Sequence, residues 1–174
     1  MRLAVFLAGT LVIAVLSWFV SIRQGRYHGV YRFFAFEGIL GLLLLNFRAW
    51  FRNPFSPLQI FSWLFLLVSL PLVFGGVLRI LREGRPSGQF ENTTRLATGG
   101  LYRVIRHPMY ASYSAFALGV FLKDVTPWTT AIILGIAGAT WLTARQEEKE
   151  MLARFGPAYA AYMARTKRFV PGLF

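Results

Sequence analysis

Two polar stretches of this sequence hold the side chains that could do chemistry, one cationic and one anionic. The first is Gly100-Leu101-Tyr102-Arg103-Val104-Ile105-Arg106-His107-Pro108-Met109-Tyr110. Pro108 suits the first position of a helix, where a backbone N–H has no partner in any case, so Arg106 and His107 stand at a helix mouth. A helix N-terminus is already positive. Cationic side chains there call for an acidic partner or the carboxylate of a ligand. The alternative is that Arg103 and Arg106 are membrane-surface anchors and His107 an interfacial histidine with satisfied hydrogen bonds. The second stretch, Arg145 to Phe155, carries Glu147, Glu148 and Glu150, three of the seven acidic residues. At helical spacing Glu148 shares a face with Met151, Leu152 and Phe155, while Glu147, Glu150 and Arg154 share another. A solvated i, i+4 pair accounts for Glu150 and Arg154. It does not account for Glu148, a carboxylate on an apolar face, which must be paired or ligating. With no cysteine in the chain, thiolate metal sites and a cysteine nucleophile are excluded.

The elements that position these residues are membrane helices. The chain has 174 residues, 56% hydrophobic and only 15% charged, which is too apolar for a soluble domain of this length. Three runs, Leu3 to Ile22, Pro57 to Leu78 and Val125 to Ala144, are charge-free and long enough to span hydrocarbon. The first is followed by Arg23 and Arg26 without a small-residue cleavage pattern, so it is retained as an anchor. Phe33 to Phe47 and Pro108 to Leu122 are shorter, giving roughly 22 Å of helix each. Five spans place Arg23, Arg26 and Arg32, the arginines of the third loop, and the C-terminal cations on one side. Fifteen of the nineteen basic residues then share that side, with Arg2, Arg48, Arg52 and Lys123 opposite. The positive-inside rule makes the crowded side cytoplasmic and the N-terminus external. The net charge of +12 thus belongs to an anionic membrane leaflet rather than to nucleic acid.

The expected fold is all-α: one integral-membrane domain, 1–174, of about five transmembrane helices with a C-terminal amphipathic helix. It divides into a three-span part (1–81), a cytoplasmic loop (82–107) and a hairpin with the C-terminal part (108–174). Pro71, Gly75 and Gly76 inside the third span are read as local packing. The loop reads as a solvated connector. The short turn at Asp124 to Pro127 makes spans four and five an antiparallel hairpin, so the cationic and anionic stretches emerge side by side. Phe155-Gly156-Pro157 ends the long helix and starts a short one. Its Tyr159 and Tyr162 either cover a pocket or lie at the interface. Arg165, Lys167 and Arg168 read as headgroup contacts.

The string Gly100-Leu101-Tyr102, Arg106-His107-Pro108-Met109-Tyr110, Glu147-Glu148, Phe155-Gly156, Tyr159, Tyr162 and Arg168-Phe169-Val170-Pro171 resembles the isoprenylcysteine carboxyl methyltransferase family and its prokaryotic relatives. The resemblance covers Thr98 to Pro171. Phospholipid methyltransferases and membrane sterol reductases share a looser form of it. It implies a membrane methyltransferase using S-adenosylmethionine, with Tyr102, His107, Tyr110, Glu147 and Glu148 at the cofactor and Glu147 or Glu148 on its amino group. It also implies that Arg106 meets the acceptor or its developing charge, so Arg106 and Glu148 are the catalytic pair. Expected partners are membrane lipids and a lipophilic or small methyl acceptor, without metal or nucleic acid. The residue types fit independently: S-adenosylmethionine carries a sulfonium, an ammonium and a carboxylate, which want acids, aromatic faces and cations together. The rival readings are a phospholipid N-methyltransferase, a membrane reductase using NADPH, and a non-catalytic scaffold or small transporter.

Overall fold

The computed structural model of the chain describes residues 2–88 and 91–173. The single-domain expectation therefore also spans Met1, Gln89, Phe90 and Phe174, which lie outside the described residues. Six α-helices form: α1 (Arg2–Val20), α2 (His28–Asn46), α3 (Pro57–Arg79), α4 (Pro108–Phe121), α5 (Pro127–Phe155) and α6 (Pro157–Arg165). No strand forms among the described residues, only the isolated bridges Pro86–Thr93 and Ile105–Lys167. Four of the six helices open on a proline, as its fixed φ and missing N–H favour. At α5 the start is sharpened by a reciprocal cap between Thr126 and Thr129.

Three described helical segments, Arg2–Gln24, His28–Ala49 and Pro57–Gly84, are long and apolar enough to cross a membrane. α4, with 14 residues, is about 21 Å long and falls short of a hydrocarbon core of roughly 30 Å. The second span is longer than its apolar run suggested. α2 begins at His28, five residues before Phe33, and takes in Arg32; this arginine and Glu37, already within the run, both find partners. Glu37 accepts from Thr10 Oγ1 at 2.8 Å, and Arg32 pairs with Glu91.

α1 packs on α2, α2 on α5, and α4 lies between α3 and α5. Leu42, Leu66, Ala117, Val120 and Ile136 make the buried core of these contacts, whereas Leu7, Leu11, Leu64, Leu67 and Leu134 are exposed on the outer faces. Apolar exterior and packed interior are what lipid as solvent selects. α3 and α4 approach closely at Gly119, where a Cβ would stand 2.7 Å from Leu66 Cγ and 2.9 Å from the Ser62 carbonyl oxygen. There Ser62 Oγ donates to the Gly119 carbonyl at 2.6 Å, a polar bond across a small-residue contact. α3 runs unbroken through Pro71, and a Cβ on Gly75 or Gly76 would meet Leu101 or Met109, in keeping with local packing. It then widens into one π turn at Ile80–Gly84.

One expectation needs correction. The third loop is not merely a solvated connector: Ala97 is buried, and Glu91, Thr93, Arg95 and Leu96 line a cavity. Its polar backbone is tied down where Glu83 accepts from the backbone N–H groups of Thr98 (3.2 Å) and Gly99 (2.9 Å). Lys123, at the hairpin turn, is buried. It is 1% exposed, with Nζ 3.6 Å from the Trp63 ring centroid and 5.4 Å from that of Trp50. The π faces replace its hydration.

Candidate active site

The helical hairpin α4–α5 brings the cationic stretch before α4 to the anionic stretch of α5, as its short turn requires. What holds the cationic stretch in place is the C-terminus. Arg106 N–H donates to the Lys167 carbonyl (2.7 Å), His107 N–H to the Arg168 carbonyl (3.1 Å) and Lys167 N–H to the Val104 carbonyl (3.1 Å). This short parallel ladder fixes both side chains before Pro108 starts the helix.

Glu148 sits at the centre, 4% exposed. Its Oε1 accepts from Arg106 Nε (2.9 Å) and Arg168 Nε (3.1 Å), and its Oε2 from Arg168 Nη2 (2.6 Å). His107 Nε2 lies 3.3 Å from Oε1. Arg106 Nη1 donates to the Met163 carbonyl at 3.2 Å and also to that of Thr166. The buried carboxylate demanded by the helical face is therefore present and fully paired. Burial works against its charge, but His107, Arg168 and Arg106 more than offset this and hold the carboxyl well below the usual carboxylate range. Arg168, read from sequence as a headgroup contact, is instead part of this ion network.

Glu147, one residue earlier, has a different environment. Its side chain is 27% exposed, and its Oε2 lies 3.4 Å from His107 Nδ1. Burial again opposes the charge, yet His107, the positive His28 and Tyr110 bring its pKa down to about 2. His107 bridges the two carboxylates. Burial favours its neutral form, but Glu147 and Glu148 outweigh that and raise its pKa above the ordinary 6.5. The imidazole stacks on Tyr110, with centroids 5.1 Å apart and planes within 4°.

Beside this network lies a cavity bordered by Tyr102, His107, Glu147, Met151, Phe155 and Tyr159. Tyr102, Tyr159 and Tyr162 form a buried cluster, locked where the Tyr162 hydroxyl donates to the Tyr102 carbonyl at 2.7 Å. The α6 tyrosines thus cover a pocket. Of the residues singled out in the sequence, Tyr102, Arg106, His107 and Glu147 line this cavity. Tyr110 borders an adjoining pocket with Arg106, His107 and Glu147. Glu148 stands behind them.

The sequence reading missed the N-terminal contribution. His28 Nδ1 lies 2.6 Å from Glu150 Oε2, and its Nε2 lies 3.4 Å from Glu91. Glu91 also meets Arg26 and Arg32 and accepts from Ser21 Oγ at 2.9 Å. Glu150 therefore answers to His28 across the bundle, not to Arg154 along its own helix. One signal was available: the chain has only two histidines, and both line the cavity. No group of three His, Asp or Glu side chains suited to a metal occurs among the described residues.

A buried cation–carboxylate network with an aromatic-walled cavity beside it is what the comparisons with known proteins must explain. The chain is similar to a protein-S-isoprenylcysteine O-methyltransferase of Dictyostelium discoideum, with 24% identity over 147 residues. That alignment covers 77% of this chain and 60% of the relative's length. A profile of the phospholipid methyltransferase family matches residues 57–158, from the start of α3 into α6. The matched segment contains α3, the third loop and the whole hairpin, which supply most of the cavity's lining, and the chain belongs to the phospholipid methyltransferase family.

Proposed function

We propose that the chain is a membrane methyltransferase that takes S-adenosylmethionine in the cavity beside Glu147. The observation that carries this reading is the pairing of a charged, partly exposed Glu147 with tyrosine and phenylalanine faces across one enclosed space. A cofactor with an ammonium, a sulfonium and an adenine fits that donor set: carboxylate for the ammonium, aromatic faces for the sulfonium and the base. Glu147 holds the amino group. Tyr102 contacts the cofactor through its loop, while His107 and Tyr110 form its wall. Glu148 acts from behind, fixing Arg106 and His107 so that the cavity keeps its shape. When bound, the cofactor supplies an electrophilic methyl group. The chain's own part is to orient it in line with the acceptor and exclude water.

The cavity and its charges belong at the cytoplasmic end of a five-span bundle. In that arrangement α4 and the first half of α5 are the fourth and fifth spans, α6 is an amphipathic surface helix and the N-terminus is external. Excess basic charge near the cavity supports this orientation. The acceptor is lipophilic: an isoprenylcysteine-type carboxylate by similarity to the curated relative, with a phospholipid amine as the alternative offered by the family.

Calorimetric titration of the purified chain in nanodiscs tests the reading, with binding of S-adenosylmethionine expected and of NADPH not. Heat from NADPH alone would overturn it in favour of a reductase. Because the chain has no cysteine, single cysteines placed at Thr98 and Phe55 report topology. Thr98 is expected to label only from the cytoplasmic side and Phe55 only from outside.

A further inference from the structure

A second cavity, of about 730 Å³, lies between α2, α3 and α4 and includes Arg32, Phe36, Val73, Tyr110 and Tyr113 in its wall. It adjoins the first, since His28, Glu91, Met109 and Glu147 border both. Two polar atoms in its wall are enclosed and make no hydrogen bond: Arg32 Nε and the Tyr113 hydroxyl. Thr140 and Thr143 lie beside that hydroxyl, but each donates to a carbonyl of its own helix, at 2.7 Å. The other two nitrogens of Arg32 are engaged, Nη1 by Glu91 at the rim shared by both cavities and Nη2 by Ser21 Oγ at 2.6 Å. Its guanidinium is thereby fixed with Nε left unpartnered. A buried donor without a partner is costly, and an anionic oxygen is the acceptor that relieves it best.

Arg106, the cation that the family resemblance assigns to the acceptor, has two of its three nitrogens engaged, Nε by Glu148 and Nη1 by two main-chain carbonyls. We propose that the second cavity receives the head of an amphiphilic methyl acceptor and that Arg32, with the Tyr113 hydroxyl, holds an anionic oxygen of that head. This rests on the methyltransferase reading and assigns its acceptor subsite. Phe36, Val73 and Met109 supply the apolar wall for the adjoining tail.

The shared chemistry is a carboxylate or phosphate oxygen on a lipid-like molecule. If it is a carboxylate, the held anion is the nucleophile. Its lone pair forms the O–CH3 bond while the S–CH3 electrons pass to sulfur, giving an ester and a neutral thioether with no proton moved. If it is a phosphodiester, the anion is a handle. A neutral amine of the same headgroup then forms the N–CH3 bond and afterwards gives one proton to water.

The test uses the full chain in nanodiscs, with Arg32→Gln and Tyr113→Phe beside the unaltered protein. Methyl transfer from labelled S-adenosylmethionine is followed to N-acetyl-S-farnesylcysteine and to phosphatidylethanolamine. Label lost in mild alkali reports an ester, and label retained reports an N-methyl group. Arg32→Gln is expected to raise the acceptor KM by about tenfold or more, as for loss of a charged hydrogen bond, and Tyr113→Phe by less, with cofactor Kd unchanged in both. Unchanged acceptor KM in the two variants overturns the subsite, as does a parallel loss of cofactor affinity. Should Arg32→Gln fail to fold, Tyr113→Phe decides alone. Absence of cofactor binding to the unaltered protein would instead overturn the methyltransferase reading itself.

Discussion

Replacing Glu148 by glutamine and, separately, Glu147 by glutamine should separate fold stability from cofactor binding at two adjacent residues. Glu148 accepts three hydrogen bonds from Arg106 and Arg168 and is almost wholly enclosed. Glutamine retains its volume but leaves two guanidinium groups without their counter-charge. Arg106 and Arg168 have side chains only 9% and 20% exposed, so water cannot replace what is lost. Breaking a buried ion pair by removing one partner costs about 3–5 kcal/mol. Glu147 meets His107 at 3.4 Å, with Tyr110 beside it, and is partly exposed, so Glu147→Gln should cost less stability than Glu148→Gln. Its effect belongs to the ligand instead. Loss of one charged hydrogen bond of about 1.5–3 kcal/mol weakens cofactor affinity by about 10- to 150-fold. Thermal unfolding of the detergent-solubilised protein, followed by calorimetric titration with S-adenosylmethionine, reads both quantities. If Glu148→Gln keeps the native Tm while Glu147→Gln binds cofactor normally, the division of labour between the two carboxylates is refuted.

Other outcomes follow from the same contacts. The Tm of Gly119→Ala should fall by the equivalent of about 1–3 kcal/mol, because its Cβ would collide with Leu66 and the Ser62 carbonyl between α3 and α4. Lys123→Met should not lower the Tm: removing a buried ammonium that has no hydrogen-bond partner relieves desolvation that offsets its cation–π contact of about 2 kcal/mol. Stability should also depend on pH through His107 and Glu147. His107 titrates above its ordinary 6.5 in the folded chain, so its contribution is complete below 6.5 and fades as pH rises through that raised value. Glu147, lowered from 4.5 to about 2, contributes above 4.5 and loses its contribution as pH falls toward 2. Unfolding scans across pH should therefore show an alkaline decline that His107→Gln reduces, His28 with its two carboxylate partners carrying the remainder, and an undiminished decline in that variant would exclude His107 as a source.

Much of the hairpin was legible in the chain itself. Pro108 and Pro127 mark helix starts, the apolar runs between them mark the arms, and a turn of a few residues forces the ends together. Helical period likewise put Glu148 on an apolar face and so required partners for it, without naming Arg168. Local order of this kind follows from propensity and spacing, which act within a turn or two of helix. The length of α2 was misjudged for the converse reason. Arg32 looks like an interruption until Glu91, 59 residues away in sequence, neutralises it.

Sequence by itself determined an all-helical, lipid-facing chain, the pairing of a cationic with an anionic stretch and the residue types of the cavity. Tertiary structure alone decided which carboxylate is sealed in and which borders the cavity. Successive helix residues differ by about 100° in direction, and only packed neighbours say what each direction meets. It also decided that the ladder of 104–107 with 167–168, His28, Glu91 and Arg32 belong to the site. Those contacts join residues many helical turns apart, and burial between separate elements carries no period along the chain.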